Sequence, residues 1–312
     1  MQRDRQAGIW EGASSSPGPP PRTPSPPATL PLGEGSDVAS LPPAGGYRPG
    51  RLGGWLTAVA SLVGLASFLY PFIVPAIQRA TTGQARAGEA PLVFAAVATL
   101  CVLAIVADLD PMRAGPNASK LVAMLAALVA IDAMLRLVPA FLGASPVFLL
   151  ILLGGYVYGP RFGFQLGALT LLVSAFVTGG IGPWLPYQML GAGWVGLSAG
   201  WLPHPAERRR QLALLAAFGA VWGLLFGALL NVWFWPVAAP GGEVGAGLSW
   251  SPDLSVGEAL RRYGVFYATT SLWYDAFRAV GNVVLVVVLG GPILRTLERY
   301  RSRLTWEWRP AA

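Results

Sequence analysis

Residues 155–202, GYVYGPRFGFQLGALTLLVSAFVTGGIGPWLPYQMLGAGWVGLSAGWL, hold two apolar runs joined by a turn that no helix can cross. Nothing from Phe162 to Thr178 is charged, and nothing from Tyr187 to Leu202. Each run approaches the roughly 20 residues that, at about 1.5 Å apiece, cover a hydrocarbon layer about 30 Å thick. The pair reads as two membrane spans. Gly179, Gly180 and Gly182 in the turn are poor helix formers, and Pro183 and Pro186 lack a backbone donor. Lipid offers no partners to open backbone, so this turn belongs at the membrane surface or against a protein cavity. Gly163 and Gly167 on the first run, and Ala192, Gly196 and Gly200 on the second, recur every fourth residue. That spacing lets two helix backbones approach closely.

The segment YGPRFGFQLGALTLLVSAFVTGGIGPWLPYQML, together with YDAFRAVGNVVLVVVLGGPILRTLERYRSR near the C-terminus, resembles the substrate-binding S components of energy-coupling factor (ECF) vitamin transporters. Within that family it is most similar to the cobalamin-type members, and the likeness covers roughly residues 119–303. The resemblance implies an all-α integral membrane fold. It also implies a catalytically inert subunit that captures a vitamin outside the cell and delivers it through a transmembrane coupling subunit and two ABC ATPases.

Apolar residues make up 54% of the chain and charged residues 12%, against roughly one quarter charged in soluble domains. The composition is that of a polytopic membrane protein. The single lysine, Lys120, does not follow a glycine, so no GK[ST] phosphate loop exists and any ATP is used by partner subunits. One cysteine, Cys101, and one histidine, His204, exclude an internal disulfide and a Cys/His zinc cluster. Cys101 reads as a small core residue, and His204 as a solvated loop residue. The net charge of +7 does not point to nucleic acid, because the arginines cluster beside span ends.

Residues 1–50 are rich in Pro, Gly and Ser and read as a disordered cytoplasmic tail. Spans are expected at about 55–76, 91–107, 121–138, 146–158, 162–178, 187–202, 211–235 and 271–294. The first two form an additional pair within residues 51–112. The other six form the S-component-like core within 113–303, and 304–312 is a C-terminal tail. The excess of arginine near one set of loops, with Arg113, Arg161, Arg208, Arg209, Arg210, Arg295, Arg299, Arg301 and Arg303, predicts cytoplasmic termini and a plasma-membrane location. The Trp184 turn and the loop over 237–262 then face outward. In the family, the loops corresponding to 140–145 and 237–262 close the pocket.

Ionisable groups inside a span are costly and point to function, usually with a partner in reach. Asp132 and Arg136 are spaced i,i+4, Asp275 and Arg278 i,i+3, and each pair is expected to neutralise itself on its own helix. Ser271, Asp275, Arg278 and Asn282 form one polar stripe at about 100° per residue. With Trp184, Gln188, Asn231, Trp235 and Tyr274, these residues are the candidate substrate-binding set. The tryptophans can equally form an interfacial belt. Gly219, Gly223 and Gly227 at four-residue intervals read as a packing face. Ala123, Ala126, Ala127 and Ala130 form a small-residue face opposite Asp132 and Arg136, which the resemblance assigns to docking on the coupling subunit. The alternatives to a vitamin-binding subunit are an intramembrane lipid-modifying enzyme working through Asp132 or Asp275, or a membrane scaffold. Riboflavin or another vitamin stands beside cobalamin as a substrate.

Overall fold

The computed structural model describes residues 51–72, 118–138, 145–238, 247–251 and 253–304. The expected span over 91–107, the tail over 1–50 and the loop over 140–144 lie outside them. The described residues fold as helices: α1 (Arg51–Phe68), α2 (Ala118–Leu135), α3 (Val147–Tyr158), α4 (Pro160–Thr178), α5 (Leu185–Ala199), α6 (Arg208–Ala238), α7 (Val256–Thr270) and α8 (Leu272–Leu304). Among the described residues, α4, α6 and α8 are each long and apolar enough to cross a membrane. α3, at about 18 Å, is shorter than the layer.

Two glycines set the boundaries of α4. Gly159, at φ +99°, turns the chain out of α3, and Pro160 follows at the first helical position, where its missing donor costs nothing. Gly179 closes the helix at φ +66°, a left-handed conformation that glycine adopts without strain. The return through Trp184 starts α5 with Pro186 in its first turn. α4 and α5 then pack against each other more closely than side chains would allow. A methyl group at Gly163 would meet the Gly196 carbonyl, and one at Gly167 would meet the Ala192 carbonyl.

α6 and α8 form a second close pair, with Gly223 of α6 against the Ala279 backbone of α8. α3 runs through the middle and is buried over almost its whole length, from Val147 to Val157. Leu152, Leu153, Leu166, Leu171, Val195, Leu215, Phe226 and Val286 join these helices into the main core. α1 docks on α5 and α6 from outside that core. Its Phe68 is wholly buried, 4.8 Å from the Tyr187 ring and 5.6 Å from Trp194. The Trp194 indole donates to Ser61 Oγ at 3.0 Å.

α7 differs from the expected loop over 237–262. Its first turn is capped by Ser255, whose Oγ accepts the Glu258 N–H at 3.1 Å. Only Ala259 and Phe266 are buried along it, so it lies on the bundle as an amphipathic helix. The Tyr263 hydroxyl donates to the Ala228 carbonyl, fixing α7 along α6. At the start of α7, Arg261 and Arg262 donate to Glu258 and hold its carboxyl down at about 2.

His204 is exposed but not simply solvated. It stacks on Tyr156 at 4.1 Å, and its Nε2 sits 3.1 Å from the Tyr156 carbonyl. The same end of the bundle is tied by Tyr158 Oη donating to the Leu297 carbonyl at 3.1 Å. Arg208 grips both carboxylate oxygens of Glu298, at 3.0 and 2.6 Å.

Candidate functional site

Two polar groups stand inside the helices, and no hydrogen bond or ion pair between described residues joins them. The first lies where α2, α4 and α5 meet. Asp132 is wholly buried and faces the Thr170 hydroxyl, yet neither carboxylate oxygen nor Thr170 Oγ1 reaches hydrogen-bond geometry with any described residue. Arg136 does not neutralise it. The guanidinium leaves its own helix, donating to Ser174 Oγ at 2.8 Å and to Gln188 Oε1 at 3.1 Å. The expected i,i+4 ion pair is therefore absent, because α4 and α5 bring polar acceptors to Arg136 across the helix boundary. One turn away, Trp184 is partly exposed and donates to the Gly180 carbonyl at 3.0 Å, folding its ring over Gly182.

The second group binds α8 to α6. Asp275 and Arg278 form the expected ion pair, and Arg278 also donates to the Gly223 carbonyl at 3.2 Å and lies over the Phe226 ring. Asn282 Nδ2 donates to the Gly219 carbonyl at 2.8 Å. The Asp275 carboxylate fills the space that a side chain at Gly227 would take. The glycine stripe of α6 and the polar stripe of α8 are thus one interlocking surface. Neither sequence pattern showed by itself that the other was its partner. Asp275 Oδ2 and Asn282 Oδ1 remain without partners among the described residues.

The remaining candidates are dispersed. Asn231 bonds back to the Gly227 carbonyl of its own helix at 2.9 Å. Ser271 ends α7 beside Thr270, and Tyr274, like its neighbour Trp273, is exposed. Trp235 is wholly buried rather than interfacial. Its indole donates to the Leu248 carbonyl at 2.8 Å, and it packs with Leu254, Ala259 and Phe266. Trp250 reaches from the segment before α7 to the Pro71 carbonyl beyond α1, at 3.0 Å. Tyr187 and Trp233, 4.8 Å apart, line the neighbouring aromatic cluster with Phe68. Sequence reasoning passed over Thr170 and Ser174, although both sit at hydroxyl positions on an otherwise apolar span. On α2, Ala123, Ala126, Ala127 and Ala130 are all exposed while Asp132 and Ala133 are buried.

A family model described as the ECF transporter, substrate-specific component matches residues 120–290, more than half of the chain. The chain belongs to this family. It is a substrate-specific component of an ECF transporter, a subunit of a membrane transport system. The match opens at Lys120 in the first turn of α2 and closes at Gly290 in α8, so it spans both polar groups and leaves α1 outside. No curated protein and no solved structure matches the chain.

Proposed function

We propose that this S component captures a vitamin, cobalamin, from outside the cell. It passes the vitamin inward when coupled to a transmembrane partner driven by two ABC ATPases. The observation that carries the reading is the group at Asp132, Arg136, Thr170, Ser174 and Gln188, in which an arginine spans three helices beside a carboxylate that no described residue satisfies. Intramembrane groups left in this state are expensive and are kept for a ligand. Trp184 and Gln188 stand at the same end of α5.

The unpartnered atoms Asp132 Oδ1 and Oδ2, Asp275 Oδ2 and Asn282 Oδ1 are acceptors that need donors, and Thr170 Oγ1 can serve as acceptor too. A large ligand with apolar rings and many primary amides supplies such donors in number, which favours a corrinoid over a small anion. Asp275, Arg278 and Asn282 primarily hold α8 to α6, and Asp275 Oδ2 and Asn282 Oδ1 form the wall that this ligand meets. Ser271, Tyr274, Asn231 and Trp235 support the outer rim. The exposed alanine face of α2 is the docking surface for the coupling subunit, since small residues admit a partner helix closely.

The end carrying Arg161, Arg208, Glu298 and Arg299 lies in the cytoplasm, and the Trp184 turn and α7 lie outside. The test is calorimetric titration of the purified full chain with cobalamin and with riboflavin. Saturable heat with cobalamin supports the reading. Tight flavin binding with no cobalamin heat keeps the class and changes the substrate.

A further inference from the structure

We propose that the cytoplasmic end of α8 carries a headgroup site for anionic phospholipid, formed by Arg295, Arg299 and Arg303 with Tyr300. These side chains line a shallow cleft along one face of the helix, together with Thr296. All are exposed, and the opposite face buries Leu294 and Leu297 against the core. Glu298 is turned to that other side, where Arg208 holds both of its oxygens. None of Arg295, Arg299 and Arg303 has an acidic partner among the described residues. Arg303 instead lies over the Tyr300 ring at 6.0 Å.

The helix length places this row at the membrane boundary. α8 has 33 residues, about 50 Å at 1.5 Å each, whereas the hydrocarbon layer is about 30 Å. The stretch from Leu272 to Leu294 fills that layer, so Arg295 begins the headgroup zone, with Arg299 and Arg303 about 6 and 12 Å beyond it. The direction of the row matters as much as its depth. Val284 and Val288, both exposed, precede Arg295 and Arg299 by eleven residues, which is about three full turns. The arginines therefore continue the face that lipid tails cover. A cation row under that face meets the headgroup of the same lipid, with Tyr300 at interfacial depth. The site rests on the membrane reading of the family and not on the identity of the substrate.

Native mass spectrometry of the full chain, titrated with phosphatidylglycerol and with phosphatidylcholine, tests the site. Each arginine near an anionic surface contributes about 1 kcal/mol, roughly fivefold. The variant Arg295→Gln/Arg299→Gln/Arg303→Gln should then lose about a hundredfold in phosphatidylglycerol affinity. It should bind phosphatidylcholine as the parent does and melt at the same temperature. Arg209→Gln/Arg210→Gln, which removes charge at the same end but off the row, should change little. Unaltered phosphatidylglycerol preference in the triple variant, or an equal loss in the double variant, overturns the proposal. So does displacement of phosphatidylglycerol by inorganic phosphate at equal concentration, which would mark a free-oxyanion site. Intact lipid preference with failed assembly onto the coupling subunit and ATPases would assign the row to protein contact instead.

Discussion

Replacing Asp132 with asparagine separates the stability of the bundle from its capacity to bind. The carboxylate is wholly buried with both oxygens unpartnered, and a buried polar group left unsatisfied costs about 1–3 kcal/mol, more when charged. The amide keeps the shape, cannot ionise, and can donate from Nδ2 to Thr170 Oγ1, which also lacks a partner among the described residues. Arg136 loses nothing, because its bonds run to Ser174 and Gln188. Both contributions have the same sign, so Asp132→Asn should be more stable by about 2 kcal/mol. At about 2–4 °C per kcal/mol for a domain of this size, the melting midpoint rises by roughly 4–8 °C. Binding should move the other way. A hydrogen bond between the ligand and this group is worth about 0.5–1.5 kcal/mol, so the dissociation constant should rise roughly 2- to 13-fold. Thermal melting and calorimetry on one nanodisc preparation read both quantities. A lower midpoint would show that the carboxylate is already satisfied and refute the argument at its first step. A higher midpoint with unchanged affinity would remove Asp132 from the substrate site.

The remaining expectations concern packing, coupling and orientation. Gly163→Leu forces a branched side chain into the Gly196 backbone and should abolish folded, detergent-stable protein by size-exclusion chromatography; normal yield and melting would contradict the α4–α5 contact. Ala123→Leu with Ala127→Leu alters only exposed positions, so uptake in cells should stop while calorimetric binding by the isolated subunit stays within twofold; surviving uptake places the docking face elsewhere. A cysteine at Ser251 should react with impermeant thiol reagents in intact cells and one at Ala206 should not, and the reverse pattern would invert the topology.

Helix positions were readable wherever apolar length alone decides them. The run over 162–178 became Pro160–Thr178, and the glycines and prolines of the following turn ended one helix and opened the next as their backbone preferences require. α7 was harder to read because it is neither long nor uniformly apolar. Its signal was Ser255 followed three residues later by Glu258, a capping-box pattern that marks a helix start. The ionisable residues inside the spans were legible in type but not in pairing. Asp132 and Arg136 have the right spacing for a bridge, yet Ser174 and Gln188 on other helices take the guanidinium. Sequence spacing describes one helix at a time, and these partners are 38 and 52 residues away. Trp235 shows the same limit. A tryptophan near a span end suggests an interfacial anchor, and only the return of Leu248 and Phe266 over its ring makes it core.

The seating of α1 bears on where this protein can be cut. Family resemblance begins at residue 120, which invites a trimmed chain starting there. Phe68, however, fills the notch between Tyr187 and Trp194, Ser61 accepts the Trp194 indole, and the Pro71 carbonyl holds Trp250. A chain trimmed to the shared segment would remove the acceptors of two indole donors and the ring that fills the aromatic notch. The helix outside the family boundary is, in this protein, built into the same packing as the helices inside it.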